Sequence, residues 1–250
     1  MTRLFVCLLA LASLTLGVTA PAQAQAEATN ASSCAHRTMI TGYHGTHNYP
    51  PYTVQQNVWT EQGKQTIAAC SASSWTATVN QKGAPETGVK TYPDSNKSYT
   101  DWMHCSSQPA IKSFKSLQST FAEKAPNAGS WNFAYDIFLN GSLCKQPVTE
   151  VMVWNHWRAI SVPRAQFHTT IDKVAYDVYH SGHYIQLRRT HQTASGSVNI
   201  LAVLHALEQH KLIKETDTLQ FVQYGVEVLT TQGRNVPFEL RGFSVHDTRK

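Results

Sequence analysis

The chain has 250 residues, of which 42% are hydrophobic and only 15% charged, with 21 Lys and Arg against 16 Asp and Glu. That mild positive balance, with no dense basic cluster beyond Arg188-Arg189, argues against nucleic acid as the main partner. No stretch reaches the ~18 consecutive apolar residues of a membrane-spanning helix, and sparse charge among abundant Ser, Thr, Asn, Gln, Tyr and Trp suits neutral, hydroxyl-rich ligands.

Met1-Thr2-Arg3 carries one basic charge and precedes an apolar run from Leu4 to Val18, then small residues ending in Ala22-Gln23-Ala24. This predicts a secretory signal peptide over residues 1–24 and an exported, soluble mature protein of about 225 residues. Residues 25–33 are small and polar and predict a frayed mature N-terminus. Residues 34–250 contain nothing that reads as a linker, so one domain is expected. Short segments rich in Val, Ile, Thr and aromatics, broken by Gly, Pro, Asn and Ser, then read as strands. They are Tyr52–Trp59, Thr66–Cys70, Ser74–Val79, Val89–Tyr92, Ser130–Leu139, Glu150–Trp154, His168–Ile171, Val174–Tyr179, Tyr184–Arg189, Leu219–Leu229 and Phe238–Val245. Many short strands with few helices imply an all-β sandwich or barrel. One segment breaks the pattern: Ile200, Val203, Leu204 and Leu207 fall at helical spacing after Ser197, a plausible N-cap, and predict a single long helix packed on one sheet. His205 and His210 are expected on its solvent side.

Cys7 leaves with the signal, which leaves Cys34, Cys70, Cys105 and Cys144 in a compartment that permits disulfides. Of the three pairings, Cys34 with Cys70 and Cys105 with Cys144 is favoured. Each bridge closes a loop worth about 4 kcal/mol in the chain-entropy account. No C-x-x-C spacing suggests a thiolate zinc site.

Sixteen carboxylates are few enough to place individually. Glu61, Glu86, Asp94, Asp101, Asp172, Glu215 and Asp217 stand in polar, turn-like surroundings and read as solvated charges. Asp136, Glu150 and Glu227 instead interrupt apolar strand segments. Desolvating a carboxylate costs several kcal/mol unless it is paired, hydrogen-bonded or facing a wet cleft. Strand alternation puts Glu150, Met152 and Trp154 on one face and Val151 and Val153 on the core face. A carboxylate, a thioether and an indole in a row describe a sugar-binding floor. The same rule puts Gly225, Glu227 and Leu229 opposite Val226 and Val228, and Ala134, Asp136 and Phe138 opposite Tyr135 and Ile137. Three acids can then line one cleft, and paired carboxylates flanking a scissile bond are what glycoside hydrolysis requires.

At these residues the sequence resembles glycoside hydrolase family 12, the small β-jelly-roll endoglucanases, from about Cys34 to the C-terminus. Glu150-Val151-Met152-Val153-Trp154 is similar to the family's nucleophile motif, Gly225-Val226-Glu227 to its acid/base motif, and Ala134-Tyr135-Asp136 to the strand whose Asp hydrogen-bonds the nucleophile. Tyr52–Trp59 is similar to the segment whose Asn and Trp hold sugar upstream of the cut, which implies a hydrogen-bonding role for Asn57 and a stacking role for Trp59. Val89–Pro93 resembles a further family strand. Leu229 stands where the family usually has an aromatic, and Arg158-Ala159 replaces a Gly-Pro pair; both departures bear on which glucan is preferred.

The resemblance implies a monomeric, cofactor-free retaining endo-β-1,4-glucanase. Ionised Glu150 attacks the anomeric carbon while Glu227 protonates the leaving oxygen, with the carboxyls about 5–5.5 Å apart. The substrate is cellulose, mixed-linkage β-glucan or xyloglucan. Two other readings stand beside it: a non-catalytic carbohydrate-binding protein on the same sandwich, and an exported metal-dependent hydrolase using some of the twelve histidines. His44/His47 and His180/His183 have suggestive spacing but fall in Gly-containing turns, which favours surface histidines and no metal.

Overall fold

The computed structural model describes residues 34–60, 63–100, 107–141 and 147–250. Its strands in chain order are β1 (Thr38–Ile40), β2 (Thr46–Tyr49), β3 (Tyr52–Gln55), β4 (Gly63–Ser71), β5 (Ser74–Gln81), β6 (Asp94–Ser98), β7 (Phe114–Lys124) and β8 (Ser130–Leu139). They continue with β9 (Thr149–Arg158), β10 (Phe167–Ile171), β11 (Val174–Ser181), β12 (Tyr184–Arg189), β13 (Ser195–Asn199), the helix α1 (Ile200–Gln209), β14 (Leu219–Thr230) and β15 (Val236–Arg249). A six-stranded sheet, β1-β4-β5-β15-β7-β13, faces a nine-stranded sheet, β10-β11-β12-β9-β8-β14-β6-β3-β2. This is a jelly-roll sandwich, as the strand-rich sequence predicts.

The core lies between the sheets because alternate residues on each strand are apolar. Trp75, Ala77 and Val79 of β5, Phe238 and Leu240 of β15, Phe133, Tyr135 and Ile137 of β8, Val151 and Val153 of β9, and Tyr224, Val226 and Val228 of β14 are buried together. Ala134, Met152 and Trp154 form a separate small cluster on the other face of the nine-stranded sheet. That division is the one strand alternation predicts for Glu150–Trp154. The disulfide Cys34–Cys70, with Cα atoms 5.8 Å apart, ties the start of the described chain to β4. Cys105 and Cys144, with Glu61 and Asp101, lie outside the described residues.

Several expectations are corrected. Asn199, not Ser197, caps the helix, its Oδ1 accepting the Ala202 amide at 3.1 Å. Ser197 instead pairs with Thr120 in the β13–β7 ladder, because Val198 reaches the core there. The segment predicted as Tyr52–Trp59 stops pairing regularly at Gln55, since Asn57 takes a φ of 46° and turns the chain. Val89–Tyr92 pairs as a strand only through isolated bridges of Thr91 to Val58 and Val228; the regular strand begins after Pro93. One pair is parallel, β9 with β12, because the chain crosses from β9 to the far edge of the sheet before β10-β11-β12 winds back. Strand β7 went unread because its inward positions include the polar Ser119 and Glu123. Ser119 accepts the Tyr135 hydroxyl at 2.8 Å and Glu123 meets His156 Nδ1 at 2.5 Å, which hides the apolar alternation.

His205 and His210 are exposed as expected, with the His210 ring stacked on Phe167 at 4.1 Å. Glu86, Asp172 and Glu215 are exposed, whereas Asp94 is fully buried. No helix among the described residues is long and apolar enough to cross a membrane.

Candidate active site

Five strands of the nine-stranded sheet, β12, β9, β8, β14 and β6, carry the site on the face away from the core. Register fixes the neighbours: Asp136 of β8 lies between Met152 of β9 and Gln223 of β14, while Glu150 pairs with Phe138 and with Tyr184 of β12. Glu227 lies opposite Asn132, whose Nδ2 donates to Glu227 Oε2 at 2.6 Å. The row between Glu227 and Asp136 is floored by Ala134 and Gly225, small residues that leave room above them. Tyr92 enters there, its hydroxyl donating to the Ala134 carbonyl at 3.0 Å.

Gly225 is required by the neighbouring strand. A Cβ on it would meet the Pro93 carbonyl at 2.2 Å and Asp94 Cα at 2.8 Å, and the Pro93 oxygen accepts the Val226 amide at 3.2 Å. The Gly-x-Glu pattern thus has a packing cause: the glycine lets β6 close on β14, and Asp94 comes with it onto the same face, opposite Gly225. Asp94 is held by Gln55 Nε2, 3.0 and 3.1 Å from its two oxygens, and by Asn57 Nδ2 at 3.5 Å. Asn57 Oδ1 in turn accepts the Trp59 indole at 2.8 Å, and Trp59 is half exposed, so an anchored aromatic face projects beyond β3.

A bulge in β9 extends the aromatic floor. Ala134 pairs with Trp154 but Phe133 with His156, so Asn155 is an extra residue. Simple alternation puts Trp157 opposite Trp154; the added residue returns it to the same face, with ring centroids 6.4 Å apart. The Arg188 guanidinium lies 5.8 Å from the Trp157 ring centre and donates to Asp177 at 2.8 Å. The Trp154 indole N–H has no hydrogen-bond partner among the described residues.

The electrostatics follow from burial. Asp136 is held well above the usual carboxylate range, first by desolvation and then by the negative charges of Glu150, Glu227 and Asp94. Burial also raises Glu150. Burial pushes Glu227 up to about 7, the Asn132 hydrogen bond opposing and the Glu150 charge adding to it. Burial raises Tyr92 and Tyr184, and the surrounding acids push both further, so these phenols stay neutral donors around the carboxylates.

Sequence reasoning brought together Glu150, Glu227, Asp136, Met152 and Trp154, with Asn57 and Trp59 along the same face. It missed Tyr92, Asp94, Asn132, Tyr184 and Trp157 as members of the site. Asp94 sits in the polar run Asp94-Ser95-Asn96-Lys97-Ser98, whose strand character depends on tertiary pairing, and Trp157 depends on a bulge. Among the described residues no group of three or more His, Cys, Asp and Glu is gathered as a metal site.

The larger sheet of this jelly roll thus gathers acids and aromatic residues on one face. No family profile and no curated protein matches the chain. Solved structures do, over nearly their whole length. The xyloglucanase domain of NopAA, a type three effector from Sinorhizobium fredii in complex with cellobiose, is 24% identical over 84% of this chain and 99% of that one, with a TM-score of 0.70. Endoglucanase Cel12A from Rhodothermus marinus is 20% identical over 85% and 100%, with a TM-score of 0.73. A family 12 xyloglucanase from Bacillus licheniformis is 19% identical over 84% and 100%, with a TM-score of 0.68. The fold is that of glycoside hydrolase family 12.

Proposed function

We propose that this chain is a secreted retaining endo-β-1,4-glucanase. Glu227 is the acid/base, Glu150 the nucleophile, and Asp136 a positioning residue for Glu150. The observation that carries the reading is the pairing of a glutamate held protonated to about pH 7 with a second, more accessible glutamate on the same sheet face. In the first step Glu227 gives its proton to the glycosidic oxygen while a Glu150 oxygen bonds to the anomeric carbon, and the C–O bond to the leaving chain breaks. In the second, Glu227 takes a proton from water, the water oxygen bonds to the anomeric carbon, and Glu150 leaves as carboxylate.

Asp136, its carboxyl raised well above the usual range by burial and by the neighbouring acids, is placed to donate to Glu150, which favours the ionised nucleophile. Asn132 holds the Glu227 carboxyl in a fixed orientation through one oxygen. Trp59 and Trp157 offer apolar surfaces that match the faces of glucose rings, and the buried Met152 and Trp154 back the Trp157 ring. The cellobiose complex of one structural neighbour supports a β-glucan ligand. The predicted signal peptide and the Cys34–Cys70 disulfide support export to an oxidising compartment.

The test is Glu150→Gln. It is expected to abolish release of reducing ends from β-glucan while leaving glucan binding, measured by affinity electrophoresis, intact. Unchanged release overturns the assignment.

A further inference from the structure

A cavity of about 380 Å³ opens beyond the ends of β8, β9 and β14, and the proposed glucanase chemistry does not use it. Arg158, Arg234, Asn127, Gly129, Ser130 and Thr230 are among the residues that line it. We propose that it receives a uronosyl branch of the glucan, with the carboxylate held by Arg158 and Arg234; this rests on the glucanase reading above.

The charge argues for an anion. Two guanidinium groups face the cavity, and no Asp or Glu is among the lining residues. Arg158 Nε donates to Asn127 Oδ1 at 3.0 Å and Arg234 Nη2 to Gln232 Oε1 at 2.9 Å. These partners are neutral amides, and among the described residues neither guanidinium is paired with a carboxylate, while each has five N–H donors to share. Lys90 lies beside the cavity, but its ammonium is taken by the carbonyls of Ala84 and Leu229, and the neighbouring acid Glu86 acts on Lys90. A planar carboxylate is the anion that the guanidinium fork matches in two-point fashion.

Position argues for a branch and not for the main chain. The aromatic and acidic residues run across the strands, from Trp59 past Glu227 to Trp157, whereas the cavity lies off the strand ends. Arg158 is the last residue of β9 and Thr230 the last of β14, three residues past Glu227 and about 10 Å along the strand. A short branch from the sugar bound at Glu227 spans that gap. The local backbone is shaped for it: a Cβ on Gly129 would meet the Thr230 carbonyl at 2.6 Å, and the Ser130 hydroxyl is turned away to the Ala159 carbonyl at 2.6 Å.

The experiment compares three polymers: linear mixed-linkage β-glucan, xyloglucan, and the same xyloglucan with its branch galactose oxidised at C6 to the carboxylate. Wild type is expected to cleave the oxidised polymer with a KM about 5-fold below that of its parent, an advantage lost near 0.5 M NaCl. The double variant Arg158→Gln/Arg234→Gln is expected to treat the two xyloglucans alike and to cleave linear glucan as wild type does. Arg234→Gln alone, at an exposed turn, is expected to lose part of the advantage and serves if the double variant folds poorly. Equal KM values in wild type, cleavage of the linear polymer alone, or an advantage that survives in both variants overturns the inference. Failure to cleave any of the three polymers sinks the glucanase reading and takes this inference with it.

Discussion

Glu227→Gln is expected to make the protein more stable and nearly inactive, with the stabilisation absent below pH 4.5, growing between pH 4.5 and about 7 and full above it. The Glu227 carboxyl titrates at about 7 in the folded chain against 4.5 for an ordinary glutamate. The raised value means that the folded state holds a proton that the unfolded chain releases. This contribution to stability is therefore fully present below pH 4.5 and lost as the pH rises through 7. By pH 8 the loss is about 3 kcal/mol, the free energy of keeping a buried carboxylate ionised beside Glu150. Glutamine is neutral throughout and can still present an oxygen to Asn132 Nδ2, so it removes the cost and keeps the hydrogen bond. Thermal melts followed by circular dichroism at pH 4, 6 and 8 read the effect. Variant and wild type should coincide at pH 4, and the variant should melt about 6–12 °C higher at pH 8. The turnover number should fall by about 10²–10⁴ for loss of the proton donor. A variant no more stable than wild type at pH 8, or equally favoured at pH 4, refutes the reasoning.

Two further substitutions probe the surroundings of the pair. Asp136→Asn imitates the protonated acid and should retain activity about 10-fold or more above Asp136→Ala, since a hydrogen bond to a charged group is worth about 1.5–3 kcal/mol; kcat against pH for both variants checks this. Gly225→Ala forces a Cβ against the Pro93 carbonyl and should cost about 1–3 kcal/mol through overpacking, read as a lowered denaturation midpoint with loss of the Glu227 geometry and hence of activity.

The parts of the site legible in the sequence are those where a local pattern is broken by a costly residue. Glu150 and Glu227 stand out because each interrupts valines that must face the core, and the same alternation places Met152 and Trp154 beside Glu150. Asp94 gives no such signal. It sits in a polar run, and it is buried only because Gly225 lets β6 approach β14 and because Ser95, its neighbour, accepts the buried Trp75 indole at 2.8 Å. Trp157 faces the site only by virtue of the bulge at Asn155, and Asn132 matters only through the register that sets it opposite Glu227. The sandwich as a class follows from strand count and spacing, but β7 does not, because the inward-facing Glu123 and Ser119 find partners in His156 and Tyr135 on other strands. Local periodicity finds apolar faces; it cannot find polar groups whose partners lie on other strands.

The central claim is that Glu150 attacks the anomeric carbon directly and Glu227 serves first as acid and then as base. Following hydrolysis of a short β-1,4-glucan oligosaccharide by proton NMR tests it most directly. The first-formed reducing end should be the β-anomer, with the α-anomer appearing only at the rate of mutarotation. An α-anomer as the first product contradicts the account.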